Sequence, residues 1–280
     1  MSEAPGTRGT SLPAVARRAV TRWSGGAFQR TEDAVAVEGA LEIRVSGRAL
    51  SVTLRTPGDD AELALGFLAG EGLISTRAEV VRVECTAAGC ADQPDTVELE
   101  LAPQVRLDWT RFERHFAATA ACGLCGRAHL ESLRAGLVPL PPSPPLEAAT
   151  LAALPARLRE RQETFRATGG LHAAAWCDEA LEPQVLREDV GRHNAVDKVA
   201  GWLLDHSRYP CRSGALWVSG RAGAEIVLKA ARAGIPVLAA VGAPSTLAIE
   251  LATAARMTLI GFLREGRMNV YCGEERVGAR

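Results

Sequence analysis

Between residues 171 and 272 one unit recurs: a short apolar run, a turn rich in small residues, then a stretch with helical spacing. Residues 183–190 meet Gly191, Arg192, His193 and Asn194 ahead of a helix over 195–205. Residues 215–219 (Ala-Leu-Trp-Val-Ser) break at Gly220, Arg221, Ala222 and Gly223 into a helix over 224–233. Residues 235–241 break at Gly242, Ala243, Pro244 and Ser245 into a helix over 246–256, and residues 258–264 and 268–272 close with a hairpin around Glu265 and Gly266. With residues 171–177 pairing beside 183–190, this order specifies a βαβ arrangement with helices over a mixed sheet.

Each small-residue turn falls at the carboxyl end of an apolar run. In an open α/β sheet that edge gathers helix N-termini, whose unpaired N–H groups favour an anionic ligand. The turns also supply Arg192, His193, Asn194, Ser219 and Arg221, side chains that donate well to phosphate. A nucleotide-like anion is the expected ligand; the alternative is that the glycines only shape tight βα turns. Of 32 basic residues only Lys198 and Lys229 are lysines, so arginine abundance is not in itself an argument for phosphate.

The N-terminal half reads differently. Residues 1–22 lack periodicity and are expected as a flexible tail. Residues 34–38, 41–46 and 50–55 alternate apolar with polar and predict an antiparallel meander. Residues 57–60 start a one-sided helix over 61–72, and 80–84 and 96–101 are further strands. The whole is expected as an α/β chain: an α+β domain over 23–118, a spacer over 119–148 and the αβα ligand-binding domain over 149–280. Residues 138–145 carry five prolines in eight positions and predict an extended, stiff connection, and 150–166 a helix.

Inside the spacer region lies Ala-Cys-Gly-Leu-Cys-Gly over 121–126. Cys122 and Cys125, among residues too small to bury them, can carry sulfur, exchange disulfides or hold half of a metal site. Seven cysteines are an odd number and sparse for 280 residues, which argues against a disulfide scaffold. A net charge near −1 and pI near 6.5 give no bulk reason to expect nucleic acid or an anionic membrane as partner. No stretch has the roughly 20 apolar residues of a membrane helix, and a cytoplasmic location is expected.

These segments together resemble a known family. The pair at 121–126, Thr-Gly-Gly-Leu-His-Ala-Ala over 168–174, Arg-Glu-Asp-Val-Gly-Arg-His-Asn-Ala-Val-Asp-Lys over 187–198, Ser-Gly-Arg over 219–221, Lys229, Ala-Pro-Ser over 243–245 and Gly-Phe-Leu-Arg-Glu-Gly-Arg-Met-Asn-Val-Tyr over 261–271 are similar to the formate dehydrogenase accessory sulfurtransferases, the FdhD family. The resemblance covers about residues 35–272. It implies a cytoplasmic sulfurtransferase that takes persulfide sulfur from a cysteine desulfurase and passes it to the molybdenum cofactor of formate dehydrogenase. It further implies a homodimer, a second domain with a cytidine-deaminase-like αβα fold, and binding of the cofactor's molybdopterin guanine dinucleotide form, with GDP as a surrogate. Cys122 matches the persulfide cysteine and Cys125 its companion. Phe262, Leu263, Arg264, Glu265, Gly266 and Arg267 match the cofactor-binding stretch.

Rival chemistries have weaker support. Four thiolates from Cys85, Cys90, Cys122 and Cys125 would make a closed structural zinc site, which would silence the nucleophile; the expectation is that no metal is held. A thioredoxin-like oxidoreductase needs its Cys pair opening a helix after a βαβ strand, and here meander strands precede it. A zinc deaminase needs His-x-Glu and Pro-Cys-x-x-Cys, whereas Ala173 and Ala174 follow His172 and Gly214 stands where the last cysteine would be. His172 and His193 are open between structural and ligand roles. Trp176, Trp202 and Trp217 are expected in the core, and Cys177, Cys211 and Cys272 as small apolar residues.

Overall fold

The structure, a computed structural model, describes residues 13–88, 93–107, 109 and 137–278. The expectations on Cys90, Cys122, Cys125 and the helix after them lie outside the described residues.

The chain opens with a ribbon, β1 (Val15–Ser24) paired antiparallel with β2 (Ala27–Ala36). Residues 15–22, expected as tail, are therefore strand. Gly25 and Gly26, both at positive φ, make the two-residue turn between strands that a right-handed hairpin twist requires. The ribbon also takes residues 34–36 away from the expected meander. What remains is a four-stranded sheet of β3 (Gly39–Val45), β4 (Arg48–Arg55), β5 (Val80–Thr86) and β6 (Asp95–Leu101) in the order β4-β3-β6-β5, with β3 and β6 parallel.

One face of this sheet buries Leu41, Ile43, Val97 and Leu99 against α1 (Asp60–Gly70). Asp60 and Glu62 in the first turn of α1 complement its dipole. The helix is not one-sided as its spacing suggested: residues all around it are buried, because it is sandwiched between the sheet and the second half of the chain. Leu63, Leu65 and Leu68 are among them, each worth about 1.5–3 kcal/mol of transfer free energy.

The second half begins earlier than position 149. Leu140 is buried and its N–H donates to Ala255 O, Arg276 Nε donates to Ser143 Oγ, and β7 (Leu146–Glu147) pairs with the later strand β14 (Val277–Gly278). The prolines preclude a strand ladder, yet Pro141 O, which accepts from Arg276, and Leu140 still bind the run to this domain. The helix expected over 150–166 is two, α2 (Ala148–Glu160) and α3 (Glu163–Thr168), broken at Arg161 and Gln162.

The expected mixed sheet is present: β8 (His172–Cys177), β9 (Pro183–Asp189), β10 (Ala215–Val218), β11 (Val237–Ala240), β12 (Thr258–Arg264) and β13 (Arg267–Cys272), in the order β13-β12-β11-β10-β8-β9. The strands β10, β11 and β12 are parallel, and β8, β9 and β13 join antiparallel. Three helices, α4 (Arg192–Asp205), α5 (Ala224–Arg232) and α6 (Thr246–Ala254), share one core with Trp176, Leu216, Val218, Leu238 and Leu259. On the other face Leu151, Leu154 and Leu158 of α2 pack with Ala173, Trp217 and Ile260.

The two halves meet where α1 crosses α4. A Cβ on Gly66 would lie 1.7 Å from Asp197 O, and one on Gly201 would lie 1.9 Å from Glu62 O, so no side chain fits at either position. Charged groups flank the crossing. Lys198 Nζ stands 2.8 Å from Asp189 Oδ2 and donates to Thr56 O, while Asp189 also accepts from the N–H groups of Thr56 and Gly191. Arg187 makes a two-pronged pair with Glu62, Lys229 pairs with Asp197 at 2.7 Å, and Arg232 donates to Gly70 O.

Candidate functional site

The antiparallel pairing of β8 and β9 puts His172 opposite Asp189, so the start of β8 and the end of β9 lie at the same sheet edge as the carboxyl ends of β10, β11 and β12. The turns before α4, α5 and α6 and the β12–β13 hairpin therefore converge there. Backbone hydrogen bonds lace them together: Val241 N–H donates to Val218 O, Gly242 N–H to Gly220 O, and Phe262 N–H to Gly242 O at 3.1 Å. A Cβ on Gly242 would sit 2.9 Å from Gly220 O, so this part of the floor is bare backbone. Ser245 caps α6 by accepting from Ala248 N–H.

Phe262 is the exception to an otherwise relaxed edge. At φ 51° it is a non-glycine residue in the left-handed region, in a register break between Gly261 and Arg264, with 40% of its surface exposed. Such a conformation costs on the order of 1 kcal/mol or more and persists where neighbours over-determine it, a pattern typical of ligand sites.

Around this edge Arg192, Arg221, Arg264 and Arg267 are exposed and form no ion pair with any described residue. Arg192 passes near Gly220 and His172: a Cβ on Gly220 would be 3.5 Å from His172 Nδ1 and 3.9 Å from Arg192 Cδ. Partial burial and then the Arg192 charge lower the titration of His172, with Asp189 opposing. His193 is also lowered, by burial first, although its Nε2 lies 3.1 Å from Glu225 Oε2. Both imidazoles thus favour the neutral form, leaving the arginines and helix N-termini as the positive groups. The arrangement can hold a polyanion at several points with an aromatic ring beside it.

Some expected residues are engaged elsewhere. Asn194 was read as a ligand donor, but its Nδ2 donates to Leu54 O at 2.8 Å and to Asp189 Oδ1 at 3.0 Å, which uses both amide hydrogens at the joint between halves. Leu263 is fully buried toward α2. Ser219 Oγ accepts from Ala173 N–H, fastening β8 to the end of β10. Gly220 shapes the floor, and Arg264, Glu265, Gly266 and Arg267 are exposed on the hairpin. Glu225 went unnoticed in the sequence; an acidic residue two positions after Gly223, opening a helix, was the available signal.

The described cysteines do not suit nucleophilic work. Burial pushes the Cys177 and Cys211 thiols up to about 12, and burial also raises Cys272. Cys85 is at the rim of β5, where the surrounding sheet and then Asp60 push it up. Among the described residues no group of three or more His, Cys, Asp or Glu is placed to hold a metal ion, and no helix is long and apolar enough to cross a membrane.

Comparison with known proteins gives a consistent picture. Residues 36–278 match the FdhD/NarQ family. The chain is 46% identical over 270 residues to the sulfur carrier protein FdhD of Streptomyces coelicolor, covering 94% of this chain and 96% of that one. It is 48% identical over 275 residues to the protein of the same name from Anaeromyxobacter dehalogenans, covering 95% and 94%. Among solved structures, a putative formate dehydrogenase accessory protein from Desulfotalea psychrophila superposes with a TM-score of 0.73 at 25% identity, covering 95% of this chain and all of that one.

Proposed function

Because this chain belongs to the FdhD/NarQ family, we propose that it is a sulfur carrier for formate dehydrogenase, accepting persulfide sulfur from a cysteine desulfurase and handing it to the molybdenum cofactor in its bis-molybdopterin guanine dinucleotide form. The cofactor is cargo here, and the protein acts as a cytoplasmic homodimer. The observation that carries the cargo site is the set of four exposed arginines, Arg192, Arg221, Arg264 and Arg267, without ion pairs to any described residue, at the edge where the N-termini of α4, α5 and α6 converge.

In the loading step the Cys122 thiolate attacks the terminal sulfur of the donor's persulfide. A new S–S bond forms on Cys122, the donor's S–S bond breaks, and the donor leaves as a thiolate. In the release step the Cys125 thiolate attacks the inner sulfur of the Cys122 persulfide, closing a disulfide and expelling the outer sulfur as hydrosulfide. The two electrons that reduce it come from the dithiol. At the crevice, Arg192, Arg221, Arg264 and Arg267 hold the pyrophosphate of the cargo, and the exposed ring of Phe262 offers a face to a flat heterocycle. Neutral His172 and His193 leave that binding to permanent cations.

The test is mass spectrometry after incubation with a cysteine desulfurase and cysteine. Cys122 is expected to gain one sulfur, and Cys122→Ala to abolish formate dehydrogenase activation while the fold is retained. A variant that activates as wild type does would sink the assignment.

A further inference from the structure

The β1–β2 ribbon is the one described element whose outer half has almost nothing to pack on. Its base is seated on α3 and beside Gly170, but from Arg17 to Thr31 all but two residues are exposed, and the tip presents a cross-strand pair, Trp23 opposite Phe28, at 64% and 74% exposure. An isolated two-stranded hairpin is marginal in water, and two exposed aromatics at its tip add to the cost. The family model begins at residue 36, where β2 ends, while the alignments with the relatives, at 94–95% of the chain, reach into the ribbon.

Strand alternation sorts the ribbon's side chains. Trp23 and Phe28 share a face with Val15, Ala19, Ala34 and Ala36, interrupted by Arg17, Thr21, Arg30 and the single carboxylate Glu32, so the face is an aromatic tip beside a stretch of net positive charge. Over the whole ribbon four arginines stand against two carboxylates. The complementary surface is on the same molecule. The outer face of the four-stranded sheet carries Glu42 and Glu98 sharing Arg44, and Glu84 and Glu100 sharing Arg82, which leaves an excess of carboxylates, and at its β4 margin Val52 and Leu54 are 58% and 57% exposed. That face is covered by no other described element.

We propose that the ribbon is an exchange arm: in a dimer each copy lays its β1–β2 ribbon across the outer face of the other copy's four-stranded sheet, with Trp23 and Phe28 against Val52 and Leu54 and Arg17 and Arg30 over the glutamates. The inference deepens the homodimer reading above by naming the surfaces that form it. It is independent of sulfur transfer, so a failed arm leaves Cys122 loading untouched.

Sedimentation of the full chain tests it. Wild type is expected to be a dimer that raised salt weakens, and Trp23→Ser with Phe28→Ser to weaken association at least tenfold. Arg17→Glu with Arg30→Glu should sediment as a monomer, as should Glu84→Arg with Glu100→Arg. Mixing those two charge-reversed proteins should restore a dimer, since each arm then faces a sheet of opposite charge, and that recovery shows both are folded. A monomeric wild type, reversal variants that dimerise alone, or a mixture that stays monomeric would overturn the arm.

Discussion

The string from Gly191 to Lys198 feeds two regions of opposite character. Arg192 and His193 turn toward the crevice, where Arg192 and its neighbours Arg221, Arg264 and Arg267 lack ion pairs with described residues and face solvent. Asn194, Asp197 and Lys198, two to six residues beyond Arg192, go into the joint between the halves, where Asp189 pairs with Lys198 and Asp197 with Lys229, all four buried. Buried charges must be paired because desolvation penalises them heavily, whereas unpaired charges are tolerable only where water or a ligand can reach them. Pairing, rather than residue type, separates the part of the motif that holds the fold from the part that can bind.

The contrast breaks most visibly at Lys198. Removing its ammonium leaves Asp189 charged in a site with no exposure, so Lys198→Met is expected to cost about 3–5 kcal/mol, read as a lower denaturation midpoint in urea. An unchanged midpoint would mean the joint is less essential than its geometry suggests.

At the crevice the opposite pattern is expected. Arg267→Ala should change stability by less than about 0.5 kcal/mol yet weaken GDP, measured by calorimetry, about ten- to a hundredfold. Wild-type protein that ignores GDP at millimolar concentration, or a variant that binds as well, would move the cargo site elsewhere.

The smallest effect concerns pH. His172 and His193 titrate lower when folded than their ordinary 6.5, so the unfolded chain takes up protons first as pH falls. Their contribution is complete above about 6.5 and is lost as pH drops through the folded values. Buried Asp197, raised to about 6, acts in the opposite sense, losing stability as pH rises toward that value. The variant His172→Gln, compared with wild type at each pH, should therefore show a flatter acid-side decline in unfolding free energy; identical profiles would show that His172 does not feel its burial.

Much of this organisation can be read without coordinates. The repeat of apolar run, small-residue turn and helix over 171–272 specifies the mixed sheet and the edge where turns converge, because each turn must follow a strand. The long Gly-Arg-His-Asn string identifies the family. The ribbon was missed because ten-residue strands with arginine and threonine on both faces show no apolar period, although Gly25 and Gly26 marked the turn. The use of Asn194 was illegible for a different reason: its partner, Leu54 O, lies 140 positions away.

The amino-acid order alone therefore determined the elements of the second half, their succession and the residue types available at its ligand edge, since periodicity and turn chemistry are local. Only the tertiary structure decided which charges are consumed. Lys198 and Lys229, the chain's two lysines, both end buried at the joint between halves, beside the Gly66–Gly201 crossing, while arginines from three separate turns remain open at the crevice. That division depends on which backbones cross too closely to admit a side chain and on which groups thereby lose water, a quantity set by residues far apart in sequence.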